Sequence, residues 1–520
     1  MRQLNLEDLL MKLWSSLLTC LVLTFSVSAQ AAQDPKPVPP PAAKPAPAPA
    51  PAPVAAPTTD ATPAETPAVV EPQPPMEGTV TTPPPAENVP IAAPQPVETT
   101  PVAPAITPVT PQLDLPATPA DSVLQLGAGW KLKINGYVHL NTYYVSDEVF
   151  SIDSPAYVML RSPGAFNENN SGLAFGARDT RLRLQFSGPK AWNFDPSALI
   201  EVDFFGNLPN SGTSIRQGQL RMRLAYAEMK QGNLVLRFGN DWMVAAPQFM
   251  TTFDPFNGWA QGNLWMRTPQ AKMLYNKPFG DDFRLETGFM VGQSLGGDNP
   301  KSTQLRNTGI GEASLIPLLQ ARLGAGFRIG EDSDFSTLGL SGSYQKLDFR
   351  GSPTIKQAEY DALVALGHDK MDSWFVAIDG QLNYKLHGIK FQLTGEYSYG
   401  QATGMFWGGI LQSYQFTMAG DPSAIADVTP VKSIGYFGDL KVTFPCGFWT
   451  FLGMGRSVVD EDDIVVANSP VKNTYYYGGV ALTKGPMTFG LSAGWLSTEY
   501  IQVEDAQNAL LLQGFTSITF

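Results

Sequence analysis

The last eleven residues of the chain, LLLQGFTSITF (510–520), decide its fold class. An extended backbone sorts them onto two faces, with Leu512, Thr516, Ile518 and Phe520 on one and Gln513, Ser517 and Thr519 on the other. Successive side chains of a strand point in opposite directions, so one face is mainly apolar and the other is polar. A strand of this kind is typical of a transmembrane β-barrel, which has lipid outside and water inside.

The same two-residue period recurs from about residue 131 to the C-terminus. It is clearest in RLRLQF (181–186) and in QLRMRL (219–224), where polar and apolar residues alternate without a break. Sixteen strands are predicted, near 131–146, 179–188, 197–205, 218–229, 233–240, 267–277, 283–294, 319–329, 335–348, 372–386, 388–400, 432–444, 447–457, 473–484, 487–499 and 510–520.

The connections between these segments alternate in length. Tight turns are predicted at 230–233, 386–388, 445–447 and 484–486. Long loops are predicted near 147–178, 241–266, 295–318, 349–371 and 401–431. Short periplasmic turns and long external loops are the pattern of an outer-membrane barrel, and soluble β-sandwiches do not alternate in this way.

We therefore predict an all-β fold, a transmembrane antiparallel β-barrel of about sixteen strands over residues 126–520. The barrel must close, because an unpaired strand edge in lipid would leave N–H and C=O groups without hydrogen bonds. About sixteen tilted strands enclose a water-filled lumen rather than a packed core. An even strand number places both termini on the periplasmic side of a Gram-negative outer membrane.

Residues 1–31 have the parts of a secretory signal peptide. Arg2 and Lys12 precede an apolar run (13–27), and cleavage is predicted after Ala29 or Ala31. The translation start is either Met1 or Met11, because acidic residues ahead of such a run are unusual.

Residues 32–125 are rich in proline and alanine, and hold more than half of the 45 prolines. Proline lacks the N–H that a sheet needs and small side chains bury little surface, so this segment is predicted to be disordered. It would act either as a flexible periplasmic spacer or as a tether that contacts the cell wall.

Composition and motifs argue against several other functions. The formal net charge of -12 is unfavourable for general nucleic-acid binding. Cys446 is the only cysteine after the signal peptide, so no intramolecular disulfide can form. His139, His368 and His387 form no zinc-binding pair, and no nucleophile or phosphate-binding motif occurs. We predict no cofactor, no metal and no enzymatic activity, although a serine beside His139 on an adjacent strand would suggest a hydrolase.

Five arginines have the parity opposite to the apolar face and are predicted to line the lumen: Arg181, Arg183, Arg221, Arg223 and Arg237. Clustered guanidinium groups attract anions and bind carboxylates or phosphates through paired hydrogen bonds. Alternatively, these arginines pair with Glu201 and Asp203 on the third strand and form a neutral network. Five arginines against two acids favour a net preference for anions.

The loop at 241–266 is long, aromatic and low in charge. Its candidate constriction residues are Asp241, Trp242, Phe249, Phe253, Asp254, Phe256 and Trp259. An apolar loop is unfavourable in water, so we expect it to fold into the barrel and narrow the pore. The alternative is a lid or a loop that contacts a neighbouring subunit.

Three stretches follow one another in a distinctive order: GARDTRLRLQFSGP (176–189), LAYAEMKQGNLVLRFGNDWMVAAP (224–247) and MRTPQAKMLYN (266–276). They give a basic strand, an AYxE strand, a turn, a GxxW strand end before the loop, and an RxPQ strand. In this order, over residues 131–276, the chain resembles the DcaP-like trimeric porins and, more loosely, other sixteen-stranded porins.

This resemblance implies a homotrimeric channel for small solutes, with a dicarboxylate preference in the best-known case. It implies that the five arginines line the constriction and that 241–266 is the inward loop. Phe520 matches a general feature recognised by the barrel-assembly machinery. The N-terminus departs from the family, because a proline-rich segment stands where a coiled coil is expected.

The main hypothesis is a porin for passive diffusion of small hydrophilic solutes, with a preference for anions such as carboxylates. One alternative is a structural barrel tethered to the cell wall, and another is a phosphate-selective channel. We expect the protein to contact outer-membrane lipid and lipopolysaccharide, and we expect it not to bind nucleic acid.

Overall fold

A computed structural model describes residues 123–161, 170–206, 218–253, 258–296, 309–330, 333–352, 355–418 and 425–520. The predicted signal peptide and residues 32–122 of the predicted spacer lie outside the described residues. Two candidate constriction residues, Asp254 and Phe256, also lie outside them.

The described part of the chain is built mainly of strands. The strands are β1 (Val123–Gln125), β2 (Lys131–Val145), β3 (Gly172–Gly176), β4 (Arg181–Ser187), β5 (Asp195–Gly206), β6 (Gln219–Gln231), β7 (Leu234–Trp242), β8 (Arg267–Pro278), β9 (Phe283–Gly292), β10 (Leu318–Arg328), β11 (Phe335–Asp348), β12 (Lys370–Leu386), β13 (Ile389–Gln401), β14 (Tyr414–Met418), β15 (Ile425–Pro430), β16 (Lys432–Thr443), β17 (Phe448–Val459), β18 (Pro470–Lys484), β19 (Met487–Tyr500) and β20 (Gln507–Thr519). Helices α1 (Ile310–Ala313) and α2 (Gln357–Leu366) lie in connections. No helix within the described ranges has the length and apolar character needed to cross a bilayer.

The sheet closes on itself at β2. This strand pairs with β20 along one edge and with β3 and β4 along the other. β3 and β4 pair with successive halves of β2, so together they form one interrupted barrel strand. Every pairing in the ring is antiparallel and sixteen strand positions complete it, which confirms the predicted barrel.

Gly136 and Phe520 hold the seam, because the backbone N–H of each donates to the carbonyl of the other at 3.0 Å. A Cβ at position 136 would lie 2.2 Å from the carbonyl oxygen of Arg181 on β4, so a side chain cannot be accommodated there. Beyond Phe520, the short strand β1 pairs with the same edge of β2. β2 is therefore paired along both of its edges.

The sixteen predicted strands all occur, with ends shifted by a few residues. Two predicted loops contain additional strands: β3 lies within 147–178, and the hairpin β14–β15 lies within 401–431. These strands span only five or six residues, which is too short for a two-residue period to distinguish them from a loop.

The polarity of the two strand faces is the reverse of that in a soluble protein. Leu452 on β17 and Leu491 on β19 are each 67% exposed, although both are aliphatic. Polar side chains such as Asp203 on β5 and Asn473 on β18 are fully buried. An apolar exterior around a polar interior matches hydrocarbon outside and water inside, so the chain is an outer-membrane β-barrel.

The two ends of the barrel differ. At one end, the predicted turn at 386–388 has φ values of +48° for His387 and +80° for Gly388. Two left-handed residues in succession form the two-residue turn that matches the twist of the flanking strands. The other end carries the long connections, and in barrels of this type that end faces outward from the cell.

Candidate pore constriction

The five predicted arginines lie on the inner face of β4, β6 and β7. Leu182 and Met222, which alternate with them, are 38% and 58% exposed on the outer face. β4 to β7 are consecutive in the barrel, so the five guanidinium groups form one patch on the wall. The arginine wall is defined as this patch together with Arg267 on β8: Arg181, Arg183, Arg221, Arg223, Arg237 and Arg267.

Two carboxylates on β5 hold the centre of the arginine wall. Glu201 accepts hydrogen bonds from Nε of Arg183 at 3.0 Å and from Nε of Arg223 at 2.8 Å. Asp203 accepts from Nη1 of Arg223 at 3.0 Å, and from Nε and Nη2 of Arg221 at 3.0 and 2.6 Å. Charge-assisted pairs with two contacts per guanidinium fix the orientation of its plane.

The other two predicted arginines pair with carboxylates that the sequence analysis did not include. Arg181 donates to Asp179 at 3.2 Å. Arg237 donates to Glu228 at 2.5 Å and to Asp241 at 3.1 Å. The count of five arginines against two acids was therefore wrong, because carboxylates accompany all five arginines. These contacts match the alternative hypothesis, in which the arginines pair with carboxylates and form an ion-pair network.

A β-bulge explains why Glu228 was missed. The register of β5 with β6 shifts between Glu201 and Val202, which leaves Arg223 as an extra residue on β6. An extra residue reverses the alternation of side chains beyond it. Glu228 consequently meets Arg237 on the inner face, although strict alternation from the start of β6 places it outside.

Arg267, the first residue of β8, was also missed. Its guanidinium lies over the rings of Trp242 and Trp265, 4.8 and 5.6 Å from their centroids. Within the described ranges no carboxylate lies at ion-pairing distance from Arg267, and its Nη1 has no hydrogen-bond partner. A guanidinium that stacks on aromatic faces leaves its N–H edge for an anion. The sequence signal was a basic residue two positions after Trp265, near the end of an aromatic loop.

The loop between β7 and β8, residues 243–266, is called L3 below. The backbone N–H groups of Val244 and Ala245 donate to the Gln320 side chain on β10 at 3.0 and 3.2 Å. The N–H of Ala246 donates to the hydroxyl of Ser341 on β11 at 3.0 Å. Both acceptors are buried inward-facing residues, so L3 follows the inner wall of the barrel.

Two carboxylates hold the next part of L3. The Gln248 side chain donates to Asp379 on β12 at 3.2 Å. The backbone N–H and hydroxyl of Thr251 donate to Asp439 on β16 at 2.8 and 2.7 Å. In the order of the ring, β16 stands eight positions from β6, so this part of L3 lies across the lumen from the arginine wall.

The aromatic residues of the predicted constriction pack inside the barrel. Trp242, Phe249 and Phe253 are buried and Trp259 is half-buried. The Phe253 ring lies 4.4 Å from the ring of Phe515 on β20, centroid to centroid. Packing against the wall removes this apolar surface from water, which is the physical reason for the inward course of the loop.

A cavity of about 410 Å³ lies beside the arginine wall towards the short-turn end. Its lining includes Lys131, Lys133, Gln185, Ser197, Glu228 and Arg237. Glu228 is already paired with Arg237 at 2.5 Å, so the two lysines leave this cavity with a positive charge.

The hydrolase alternative required a serine near His139, and Ser517 lies directly opposite it on β20. The His139 Nε2 instead contacts Oδ1 of Asn141 at 3.1 Å. The His139 Nδ1 and the Ser517 hydroxyl have no hydrogen-bond partner, so the nucleophile–base bond of a hydrolase is not formed between them. Across the described ranges, no group of three or more His, Cys, Asp or Glu residues could hold a metal ion.

No protein-family model and no curated protein matches the chain. Among solved structures, the outer-membrane channel DcaP of Acinetobacter baumannii is similar with a TM-score of 0.55 and 16% identity, over 76% of this chain and 99% of that one. The chain shares the DcaP fold. An anion-selective porin from Comamonas acidovorans gives a TM-score of 0.44 at 12% identity, over 75% of this chain and 100% of its own. The resemblance to DcaP-like porins is thus confirmed at the level of the fold.

Proposed function

We propose that the protein is a porin, a water-filled channel for passive diffusion of small hydrophilic solutes, and that it prefers anions such as carboxylates. The observation that carries the anion preference is Arg267, which stacks on Trp242 and Trp265 with no carboxylate beside it in the described ranges. A guanidinium in this position binds a carboxylate through two parallel N–H donors.

The charge of the surrounding wall supports this proposal. Its cations are the six residues of the arginine wall and Lys272, and the carboxylates paired with them are Asp179, Glu201, Asp203, Glu228 and Asp241. Seven cations beside five carboxylates leave a formal excess of two positive charges. Such an excess raises the local concentration of anions in a narrow, low-dielectric passage.

The arginines divide into two roles by exposure. The Arg221 side chain is 28% exposed, whereas that of Arg223 is 4% exposed. A passing solute can therefore reach Arg221, while the buried Arg223 holds Glu201 and Asp203 in place. In this proposal L3 narrows the pore opposite the arginines, and the Lys131–Lys133 cavity receives anions at the short-turn end.

The remaining partners of the predicted porin are also proposals. We propose a homotrimer, because the resemblance to DcaP-like trimeric porins implies one. The outward apolar belt fits outer-membrane lipid and lipopolysaccharide, and Phe520 at the seam fits recognition by the barrel-assembly machinery. We also propose that the proline-rich segment contacts the cell wall.

Ion selectivity in planar bilayers tests the function. Purified protein should form channels whose reversal potential in a KCl gradient shows preference for chloride, and succinate should also carry current. Arg267→Gln should shift the reversal potential towards cation preference. Arg350→Gln is the matched control, since Arg350 is a 59% exposed loop arginine, and it should leave the reversal potential unchanged. A wild-type barrel that inserts without conducting, or that prefers cations, would contradict the proposal.

Two further measurements separate the alternatives. Deletion of residues 33–120 should leave conductance intact, whereas a tethering barrel would lose envelope integrity without a defined channel activity. A phosphate-selective channel would be blocked by micromolar phosphate, and the proposed porin would not be. Both experiments use the wild-type chain as reference.

A further inference from the structure

The connection between β13 and β14 also enters the barrel. Its residues 402–411 are called L6 below. Phe406 is fully buried and packs edge-on against Phe375 of β12, with ring centroids 5.0 Å apart. Phe375 is itself buried on the inner face, because its neighbour Val376 is 49% exposed on the outer face. The N–H of Ala402 donates to the carbonyl of Val431 at 2.8 Å, so the start of L6 is held at the wall.

L6 is joined to L3 through backbone and side-chain contacts. The N–H of Ala260 donates to the carbonyl of Trp407 at 3.0 Å, and the N–H of Trp265 donates to the carbonyl of Phe406 at 3.1 Å. The rings of Trp259 and Trp407 stack with centroids 3.9 Å apart and an interplanar angle of 28°. The two loops therefore form one packed unit inside the barrel.

The closeness of this packing is seen at Gly408. A Cβ at this position would lie 2.2 Å from Cδ2 of the fully buried Leu264 in L3. L6 also contains non-glycine residues in the left-handed region, with φ of +55° at Ala402, +61° at Trp407 and +51° at Ile410. This conformation is unfavourable for side-chain-bearing residues, so tertiary contacts must hold it.

A series of aromatic rings connects L6 to the candidate anion site. The centroid of the Trp407 ring lies 6.3 Å from that of Trp265, and Trp265 lies under Arg267. Trp407 and Trp259 are half-buried, whereas Trp265 is buried. The stacked pair thus presents the accessible indole surface beside the arginine wall.

We propose that Trp407 is a size-selecting residue of the pore, and that L6 completes the constriction that L3 forms alone in a single-loop barrel. This proposal rests on the proposed channel function, because a closed barrel would have no size limit to set. The stacked indoles are rigid, since backbone hydrogen bonds fix both loops. The position of Trp407 therefore limits the size of the solutes that pass, whereas charge sets the preference among ions.

Permeation of neutral sugars in a liposome-swelling assay tests this proposal without interference from charge. The full-length chain is compared with Trp407→Ala, Trp407→Phe and the control Trp374→Ala. Trp374 lies on the outer face, packs against Tyr399 with ring centroids 5.7 Å apart, and pairs in register with Gln401 next to L6. It therefore offers the same substitution at the same height but outside the lumen.

We expect Trp407→Ala to raise trisaccharide permeation several-fold relative to a monosaccharide, and Trp407→Phe to give an intermediate rise. Trp374→Ala should keep the wild-type size profile, and the chloride preference of Trp407→Ala should persist because Arg267 is unchanged. A heat-modifiable barrel band confirms that each variant is folded. Wild-type size profiles for the folded Trp407 variants would overturn the proposal, even if the wild-type channel conducts anions. A wild-type protein that admits no solute would overturn the channel function itself.

Discussion

Arg223 donates from Nε to Glu201 at 2.8 Å, although it is the extra residue of a bulge and has no cross-strand partner of its own. The bulge lets Arg223 reach both Glu201 and Asp203, the second at 3.0 Å. The same bulge turns the following part of β6, so that Glu228 meets Arg237. One inserted residue therefore organises most of the arginine wall.

The first prediction concerns Glu201, which is buried and shared by Arg183 and Arg223. Glu201→Gln should lower the free energy of unfolding by roughly 3 kcal/mol, because the buried Arg223 and the partly buried Arg183 lose their common counter-charge. Urea unfolding followed by tryptophan fluorescence measures this change. Glu461→Gln, in an exposed external turn, is the control. Equal stability of the two variants would show that the network does not stabilise the barrel.

The second prediction separates selectivity from stability within β6. Arg221→Ser should shift the reversal potential towards cations, because the Arg221 side chain is 28% exposed. It should also lower the stability, because the buried Asp203 loses two hydrogen bonds. Arg223→Ser should mainly destabilise the barrel, because Glu201 and Asp203 both lose a donor. Bilayer recordings and unfolding curves of both variants give the comparison. Identical shifts in both measurements would contradict the division of roles.

The third prediction tests which strand face meets lipid. Ile378 on β12 is 54% exposed, and Ile378→Arg should cost roughly 2–4 kcal/mol if it lies near the bilayer midplane. Gln381→Arg on the same strand points into the lumen and should cost much less. Folding into liposomes at several urea concentrations measures both. A larger penalty at Gln381 would mean that the faces are assigned the wrong way round.

The fourth prediction concerns the hold on L3. Asp439 accepts two hydrogen bonds from Thr251 and one from the Tyr477 hydroxyl at 3.1 Å. Asp439→Ala should release this part of L3 and increase both the noise and the mean conductance of open channels. Asp372→Ala removes an exposed carboxylate at the outer side of β12 and should leave the recordings unchanged. If recordings from Asp439→Ala were as quiet as those of the wild type, the other hydrogen bonds of L3 would be sufficient to hold it in place.

Much of the fold was predictable because its signal is local. Alternation in 181–186 and 219–224 is enough to place Arg183 and Arg221 on the inner face, and the apolar character of 241–266 is enough to expect an inward loop. The bulge at Arg223 could not be predicted in this way. The residues on both sides of it still alternate, and only the register with β5 reveals the insertion.

The sequence by itself determined the barrel, the positions of its sixteen strands and the lumenal orientation of arginines such as Arg183 and Arg221. Only the tertiary structure decided which charges neutralise one another and which remain. Asp241 at the end of β7 pairs with both Arg237 and Lys272 of β8, and Arg267 meets two indoles instead of a carboxylate. It also decided that L6 joins L3, since Trp259 and Trp407 are far apart in the chain and stack only after both loops enter the barrel. Alternation is a property of neighbouring residues, whereas ion pairs and stacks depend on register and on loops brought together by closure of the barrel.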